Sequence, residues 1–457
     1  MYLNCHSNYS LRYGTLPVDK LVEIAVVNGI DKLVLTDINN SSAVVDFVNS
    51  CNKNNVKPLA GIEFRDGNEL LYIGIARDNE GFMELNEFLS HHNIHKIPLP
   101  QQAPAFSHSY VIYPFGEKSP KKLRENEYTG IRSTELNKLL SAEYRNKQQK
   151  LVALCPVTFE SEQGYELHRN LRAIDNNTLL SMLVPSQVAA PDELFTPPAE
   201  LEKLFENHPQ IIANTRKLLD DCTIAIDFST VKNKKLFTRS AYDDKLLLEK
   251  LTSDGLVYRY GKNNKEAKQR VKHELEIIDK LGFSSYFLIT WDIIRYTMSR
   301  GFYHVGRGSG ANSIVAYCLR ITDVDPIELD LYFERFLNPK RSSPPDFDID
   351  FSWKDRDEVF DYIFKRYGHK HTALLGATST FKGKSSLREL GKVYGLPKEE
   401  IDILVEEPNN PLNNNDIARH IVQLATRMTD FPNIRSIHAG GVLISEEPLT
   451  AYTAIDM

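Results

Sequence analysis

Between residues 346 and 350 the chain reads Asp-Phe-Asp-Ile-Asp, with Pro344 and Pro345 before it and Phe351 after it. Such strict alternation fits an extended strand, in which successive side chains point to opposite faces. Asp346, Asp348 and Asp350 then line one face, and Phe347, Ile349 and Phe351 the other. Like charges held so close are destabilising unless a cation neutralises them, and oxygen-only ligands suit hard ions such as Mg²⁺ or Mn²⁺. A carboxylate pair two residues apart on a strand is the requirement of a two-metal phosphoryl-transfer site. The same alternation also describes an acidic edge strand facing water, and the run alone leaves both readings open.

Some forty residues upstream, Gly306-Arg307-Gly308-Ser309-Gly310 leads into a helical run at 311–319. Glycines let the backbone approach a phosphate, helix N-terminal amides donate to it, and Arg307 adds a fixed cation with bidentate geometry. Many glycine turns merely permit a bend. Paired with an acidic strand, this one supplies a triphosphate cradle beside a metal platform, and phosphoryl transfer needs both.

With 457 residues the chain is long enough for two to four domains, and 42% hydrophobic residues suffice for their cores. The first stretch alternates a helix at 17–27, a strand at 32–35, a helix at 43–51 and strands at 57–63 and 70–75. That rhythm predicts an α/β layer with parallel strands. Functional groups of such sheets gather beyond the carboxyl ends of strands, where Asp37 and Glu63 fall. The polar, proline-punctuated stretch 98–150 reads as a loop-rich connection or a shrunken part of the layer. Further on, 151–154 is strand-like, 200–222 holds two helical segments, and 245–281 gives one strong helical pattern with a basic face. Helices are also expected at 286–298, 355–367, 382–394 and 417–429, the last two separated by a Pro- and Asn-rich stretch at 407–415.

A net charge of −6 argues against a protein that coats nucleic acid indiscriminately, yet leaves room for a localised basic groove. Five cysteines without C-x-x-C spacing argue against a zinc ribbon and a disulfide framework, and point to a reducing compartment. There is no leader-like apolar segment and no run of about 18 apolar residues, so a soluble, cytoplasmic protein is expected.

The residues that carry chemistry also carry a resemblance. G-F-S-S-Y-F-L-I-T-W-D from Gly282, G-R-G-S-G-A-N-S from Gly306, I-T-D-V-D-P from Ile321, F-E-R-F-L-N-P-K-R from Phe333, P-D-F-D-I-D-F from Pro345 and H-A-G-G-V-L-I-S from His438 occur in that order. Together they resemble the alpha (catalytic) subunits of bacterial DNA polymerase III. The resemblance implies a multidomain α/β and α+β chain: a PHP-type (polymerase and histidinol phosphatase) distorted β/α barrel over 1–225, a nucleotidyltransferase-type palm over 226–377, a helical thumb over 378–435, and a returning palm segment over 436–457. It implies template-directed DNA polymerisation with Mg²⁺ or Mn²⁺ at the palm. Asp346 and Asp348 would be the catalytic metal ligands and Asp350 a structural companion. Arg307, Gly308 and Ser309 would hold the incoming deoxynucleoside triphosphate, with Arg335 and Arg341 facing its charge. Lys382, Lys384 and Arg388 would grip primer-template DNA through its phosphates. Sliding-clamp and other replisome contacts are expected only through regions that follow these segments in the family.

Two departures from the family pattern stand out. The third palm aspartate follows the His-Ala-Gly-Gly block in the family, and Asp456 is not in a matching context, so the chain is expected to be a fragment without useful polymerisation of its own. In the amino-terminal half the opening H-x-H appears as Asn4-Cys5-His6, Tyr13 replaces the next aspartate, Ile38 replaces a histidine after Asp37, and Pro156-Val157-Thr158 stands for the late D-x-H. Only His6, Asp37 and Glu63 keep matching places, so an inactive PHP domain without its metals is expected, serving as a structural platform for the palm. His91, His92, His95 and His108 read as ordinary surface histidines. Two alternatives remain from the sequence: a PHP-type metal-dependent phosphoesterase or 3′–5′ exonuclease, which the lost ligands oppose, and a non-catalytic relative that only holds DNA or partner proteins.

Overall fold

The computed structural model describes residues 2–140, 148–338, 340, 346–408 and 416–456. The chain divides into two compact units: Met1–Asp227 with Leu375–Ala439 and Leu449–Met457, and Phe228–Leu374 with Gly440–Pro448.

In the first unit, β1 (Lys32–Leu35), β2 (Lys57–Asp66), β3 (Glu69–Ala76), β4 (Ser109–Pro114), β5 (Glu127–Ile131) and β6 (Leu151–Ala153) form one sheet in chain order. The outer pairs β1/β2, β4/β5 and β5/β6 are parallel, but β2/β3 and β3/β4 are antiparallel. An all-parallel layer is therefore not what forms. Asp66 pairs directly with Glu69, so only Gly67 and Asn68 make the turn, and a parallel crossover needs a dozen residues or more. Gly67 supplies the left-handed φ of +56° that this turn requires. The stretch 98–150 also exceeds expectation, since β4 and β5 lie within it. The sheet curls, and Cys5 bridges Leu35 on one side and Val157 on the other.

Helices α1 (Val18–Val27), α2 (Val44–Lys53), α3 (Asn79–His95), α4 (Glu162–Asp175), α5 (Pro198–Leu204) and α6 (Pro209–Asp220) accompany this sheet. Its core holds Phe47, Phe64, Tyr72, Phe82 and Tyr113, all fully buried.

The second unit contains α7 (Ala241–Tyr260), α8 (Lys265–Leu281), α9 (Ser284–Ser299), β7 (His304–Arg307), α10 (Ile314–Cys318), β8 (Asp348–Phe351) and α11 (Arg356–Tyr367). The single helical pattern expected over 245–281 is two helices. It breaks at Gly261, and the Asn264 side chain caps α8 by accepting from the Ala267 amide at 3.0 Å. Phe287, Leu288, Ile294, Phe333, Phe336 and Leu337 form the core against which Phe347, Ile349 and Phe351 pack.

Beyond α11, β9 (Thr372–Thr380) and β10 (Pro432–Ile444) pair as a two-stranded ribbon divided between the units. Between them lie α12 (Lys384–Val393), α13 (Lys398–Glu406) and α14 (Asp416–Arg427), which belong to the first unit. Their apolar faces share one core with Leu167, Leu171 and Ile174 of α4. Glu166 of α4 reinforces this contact through His420 at 3.0 Å and Arg427 at 3.5 Å. The surface that α4 offers is thus occupied by these helices.

Candidate metal and nucleotide site

β7 and β8 pair antiparallel, with Arg307 opposite Asp348 and Val305 opposite Asp350. Asp346, Asp348 and Asp350 are exposed, whereas Phe347, Ile349 and Phe351 are half-buried against the core. The alternation of the run therefore separates carboxylates from core as an extended strand must. Asp350 accepts from Nε of Arg307 at 2.8 Å. Asp346 and Asp348 have no ion pair or hydrogen bond to their side chains among the described residues.

Gly308 binds the glycine turn to this strand. Its φ is +70°, and a Cβ there would lie 2.5 Å from Oδ2 of Asp348. A Cβ on Gly310 would lie 2.9 Å from the ring of Phe347. The turn therefore lies directly against the run at two points, and only glycine allows that closeness. Ser309 is half-buried, and its carbonyl accepts from the Asn312 side chain at 2.8 Å. Arg335 is exposed and has no ion pair among the described residues. Arg341 lies outside the described residues.

The helix after the turn differs from expectation. Residues Gly308–Asn312 form a 3₁₀ turn, Ser313 caps the next helix, and α10 begins at Ile314. The first amides of α10 are already used. Buried Glu274 on α8 accepts from the Ile314 and Val315 amides at 3.1 and 3.2 Å and from the Ser313 hydroxyl at 2.8 Å. Burial pushes the Glu274 carboxyl up to about 7, although these hydrogen bonds and Arg270 pull the other way. A phosphate at the turn would meet the glycine backbone and Arg307, not the end of α10. Glu274 carries a sequence signal: with Ala267, Val271 and Ile278 it occupies the buried stripe of α8. A carboxylate on such a stripe needs hydrogen-bond donors.

The second cluster, in the first unit, gathers His6, Asp37 and Glu63. Asp37 accepts from the Ser7 amide and from the Ser7 and Ser10 hydroxyls, each at 2.7 Å, and burial raises its carboxyl. Glu63 accepts from Asn4 at 2.6 Å, meets Nε2 of His6 at 3.0 Å, and is paired with Arg65. Burial alone would raise the Glu63 carboxyl. The Arg65 guanidinium, and then His6 and Asn4, more than reverse this and hold it at about 2. Arg65 also donates to the Tyr13 hydroxyl at 3.0 Å and lies over its ring at 4.4 Å. Nδ1 of His6 faces Thr158 at 2.9 Å, and Thr158 donates to Glu193 at 2.7 Å.

The side chains present here do not fit a metal cluster, because protein donors already satisfy the oxygens and an arginine stands where Glu63 would meet a cation. Tyr13 and Thr158 are partners of this network. The sequence reading did not single out Arg65. Among the described residues no group of three or more His, Cys, Asp and Glu side chains is arranged to hold a metal ion. His91 and His95 are exposed on α3 and His108 before β4, where it pairs with Asp78 at 3.2 Å, whereas His92 is half-buried against the Phe88 ring at 4.6 Å between centroids.

The cations expected to grip DNA lie on or before α12. Lys382 pairs with Asp430 at 3.7 Å, Lys384 with Glu406 at 3.0 Å and Arg388 with Asp402 at 3.1 Å. Asp456 is held by Arg435 at 2.8 Å and Asn93 at 2.7 Å, within the first unit. No described helix is long and apolar enough to cross a membrane.

Residues 3–230 match the model of the PHP domain, and residues 246–457 match that of the bacterial DNA polymerase III alpha NTPase domain. The chain is thus a PHP domain followed by a polymerase-type NTPase domain. Over its whole length it is 29% identical to an error-prone DNA polymerase of Symbiobacterium thermophilum, covering 48% of that protein. It is 30% identical to a DNA polymerase III subunit alpha of Halalkalibacterium halodurans, again over the whole chain and 45% of the relative. Over 98% of the chain it is 29% identical to the DNA polymerase III subunit alpha of Bacillus subtilis, covering 45% of it. The chain belongs to the bacterial DNA polymerase III alpha family. It spans about half the length of the curated relatives it matches.

Proposed function

We propose that this chain carries the metal- and nucleotide-binding face of a DNA-directed DNA polymerase of the type III alpha class. Its substrates would be primer-template DNA and deoxynucleoside triphosphates. The observation that carries the reading is the unequal treatment of three aspartates on one exposed face. Asp350 is neutralised by Arg307, while Asp346 and Asp348 have no cation partner among the described residues and stand beside a glycine turn.

Asp346 and Asp348 would hold a divalent ion, Mg²⁺ or Mn²⁺. When bound, the ion would neutralise developing phosphate charge in nucleotidyl transfer. The Gly308 and Ser309 backbone, open at the start of a 3₁₀ turn, would donate to the triphosphate. Arg307 would share its guanidinium between Asp350 and a phosphate oxygen, and Arg335 and Arg341 would add charge. Lys382, Lys384 and Arg388 would grip the DNA backbone. Their present partners are exposed carboxylates, and such pairs open at little cost, on the order of 1 kcal/mol or less. The PHP domain would serve without metal as the seat of the helices 384–427.

Mn²⁺ titration followed by electron paramagnetic resonance, with and without a deoxynucleoside triphosphate, tests the reading. Wild type should bind Mn²⁺, tighten on adding nucleotide, and lose both effects in Asp346→Asn with Asp348→Asn. Mn²⁺ binding that survives the double substitution would sink it.

A further inference from the structure

We infer that Tyr286 is a positioning residue that sets the place of Asp346 relative to Asp348; the inference rests on the proposed metal site. The β7/β8 ladder begins at the pair Arg307 and Asp348, so it fixes Asp348 and Asp350 but not Asp346. Asp346 and Phe347 precede the strand. The peptide joining them is held instead from α9, where the Tyr286 hydroxyl accepts the Phe347 amide at 3.0 Å.

The Phe347 ring is fixed from several sides. It stacks on Tyr286 at 5.2 Å between centroids, meets Phe287 edge-on at 5.2 Å and Phe336 at 5.0 Å, and lies against Gly310. Since Phe347 stands between the two aspartates, locking its ring and its amide leaves Asp346 little freedom to swing away. Two carboxylates bind one ion well only when their separation is set beforehand.

The support behind Tyr286 is itself rigid. Asp292, six residues along α9, is fully buried and accepts from Tyr362 at 2.8 Å, Arg366 at 3.0 Å and Tyr367 at 3.2 Å, all on α11. Tyr296 and Tyr362 stack at 3.9 Å between the same helices. Helix α9 thereby fixes the start of the acidic run through Tyr286 and the helix that follows it through Asp292.

Tyr286→Phe removes the acceptor and keeps the ring stack. It should weaken Mn²⁺ binding about tenfold, the usual effect of losing a group that orients a ligand, with only a small fall in the unfolding midpoint from the lost hydrogen bond. Tyr286→Leu, which also removes the stack, should lower both. Equal Mn²⁺ affinity in wild type and Tyr286→Phe overturns the inference alone. Mn²⁺ binding absent from wild type, or retained in Asp346→Asn with Asp348→Asn, overturns the metal site and this inference with it.

Discussion

Nε of Arg307 donates to the Asp350 carboxylate at 2.8 Å across the β7/β8 ribbon, whereas Asp348 on the same face has no such partner among the described residues. The Arg307 and Asp350 side chains are more than half exposed, so the pair adds little stability, on the order of 1 kcal/mol or less. In the proposed metal site its value would lie in leaving Asp346 and Asp348 to the ion. Asp350→Asn should therefore keep Mn²⁺ binding and bind a nucleoside triphosphate at least as tightly, since Arg307 is freed. Asp348→Asn should lose the ion. Calorimetric titration of both variants checks the contrast, and equal losses would refute it.

Gly308→Ala tests how closely the turn and the run fit. The left-handed φ of +70° costs an alanine roughly 1–2 kcal/mol, and its Cβ would stand 2.5 Å from Oδ2 of Asp348. The carboxylate must move, so Mn²⁺ affinity should fall more than the stability loss alone would suggest. Thermal unfolding and Mn²⁺ titration of the same sample separate the two effects.

Glu274 makes the second unit sensitive to pH near neutrality. Its carboxyl is raised from 4.5 to about 7 by burial, so the folded state holds its proton more tightly than the unfolded chain. The resulting stabilisation is full below about pH 4.5 and is lost as pH rises through about 7, by up to roughly 3 kcal/mol. Glu274→Gln cannot titrate and should flatten that slope while costing stability, because its amide turns a donor toward the α10 amides. Urea unfolding between pH 5 and 8 measures both. An unchanged slope in the variant would assign the pH dependence elsewhere.

Much of this was legible because it rests on local rules. The period-two run at 346–350 fixed which side chains face the core, and the helices at α1, α2, α6, α9 and α11 follow from apolar spacing. What sequence concealed depends on partners distant in the chain. Glu63 and Arg65 are two residues apart, but the ring that receives Arg65 belongs to Tyr13 and the histidine beside Glu63 is His6. Glu274 meets Ser313 only once α8 lies against α10. The antiparallel centre of the first sheet was not hidden: Asp66-Gly67-Asn68 between two strand-like runs is a strong hairpin signal, which the α/β rhythm of the flanking elements outweighed.

Arg65 supplies the positive charge beside Glu63 in the first unit, and removing it should show how much that charge contributes. Arg65→Met leaves the fully buried Glu63 carboxylate with His6 and Asn4 alone, and an uncompensated buried charge of this kind costs roughly 3–5 kcal/mol. The pH dependence gives a sharper reading than the loss itself. In wild type Glu63 is depressed to about 2, so its stabilising contribution is present above about pH 4.5 and fades as pH falls toward 2. Without the guanidinium, burial dominates and the carboxyl rises, so the acid-side loss should disappear and stability should instead fall toward neutral pH. Unfolding by urea between pH 3 and 7 distinguishes the two curves. Addition of Zn²⁺ or Mn²⁺ should not restore the variant, because Asn4, Tyr13 and Thr158 supply no ligand set in place of those lost. Full rescue by either ion would mean that the cluster still holds a metal site.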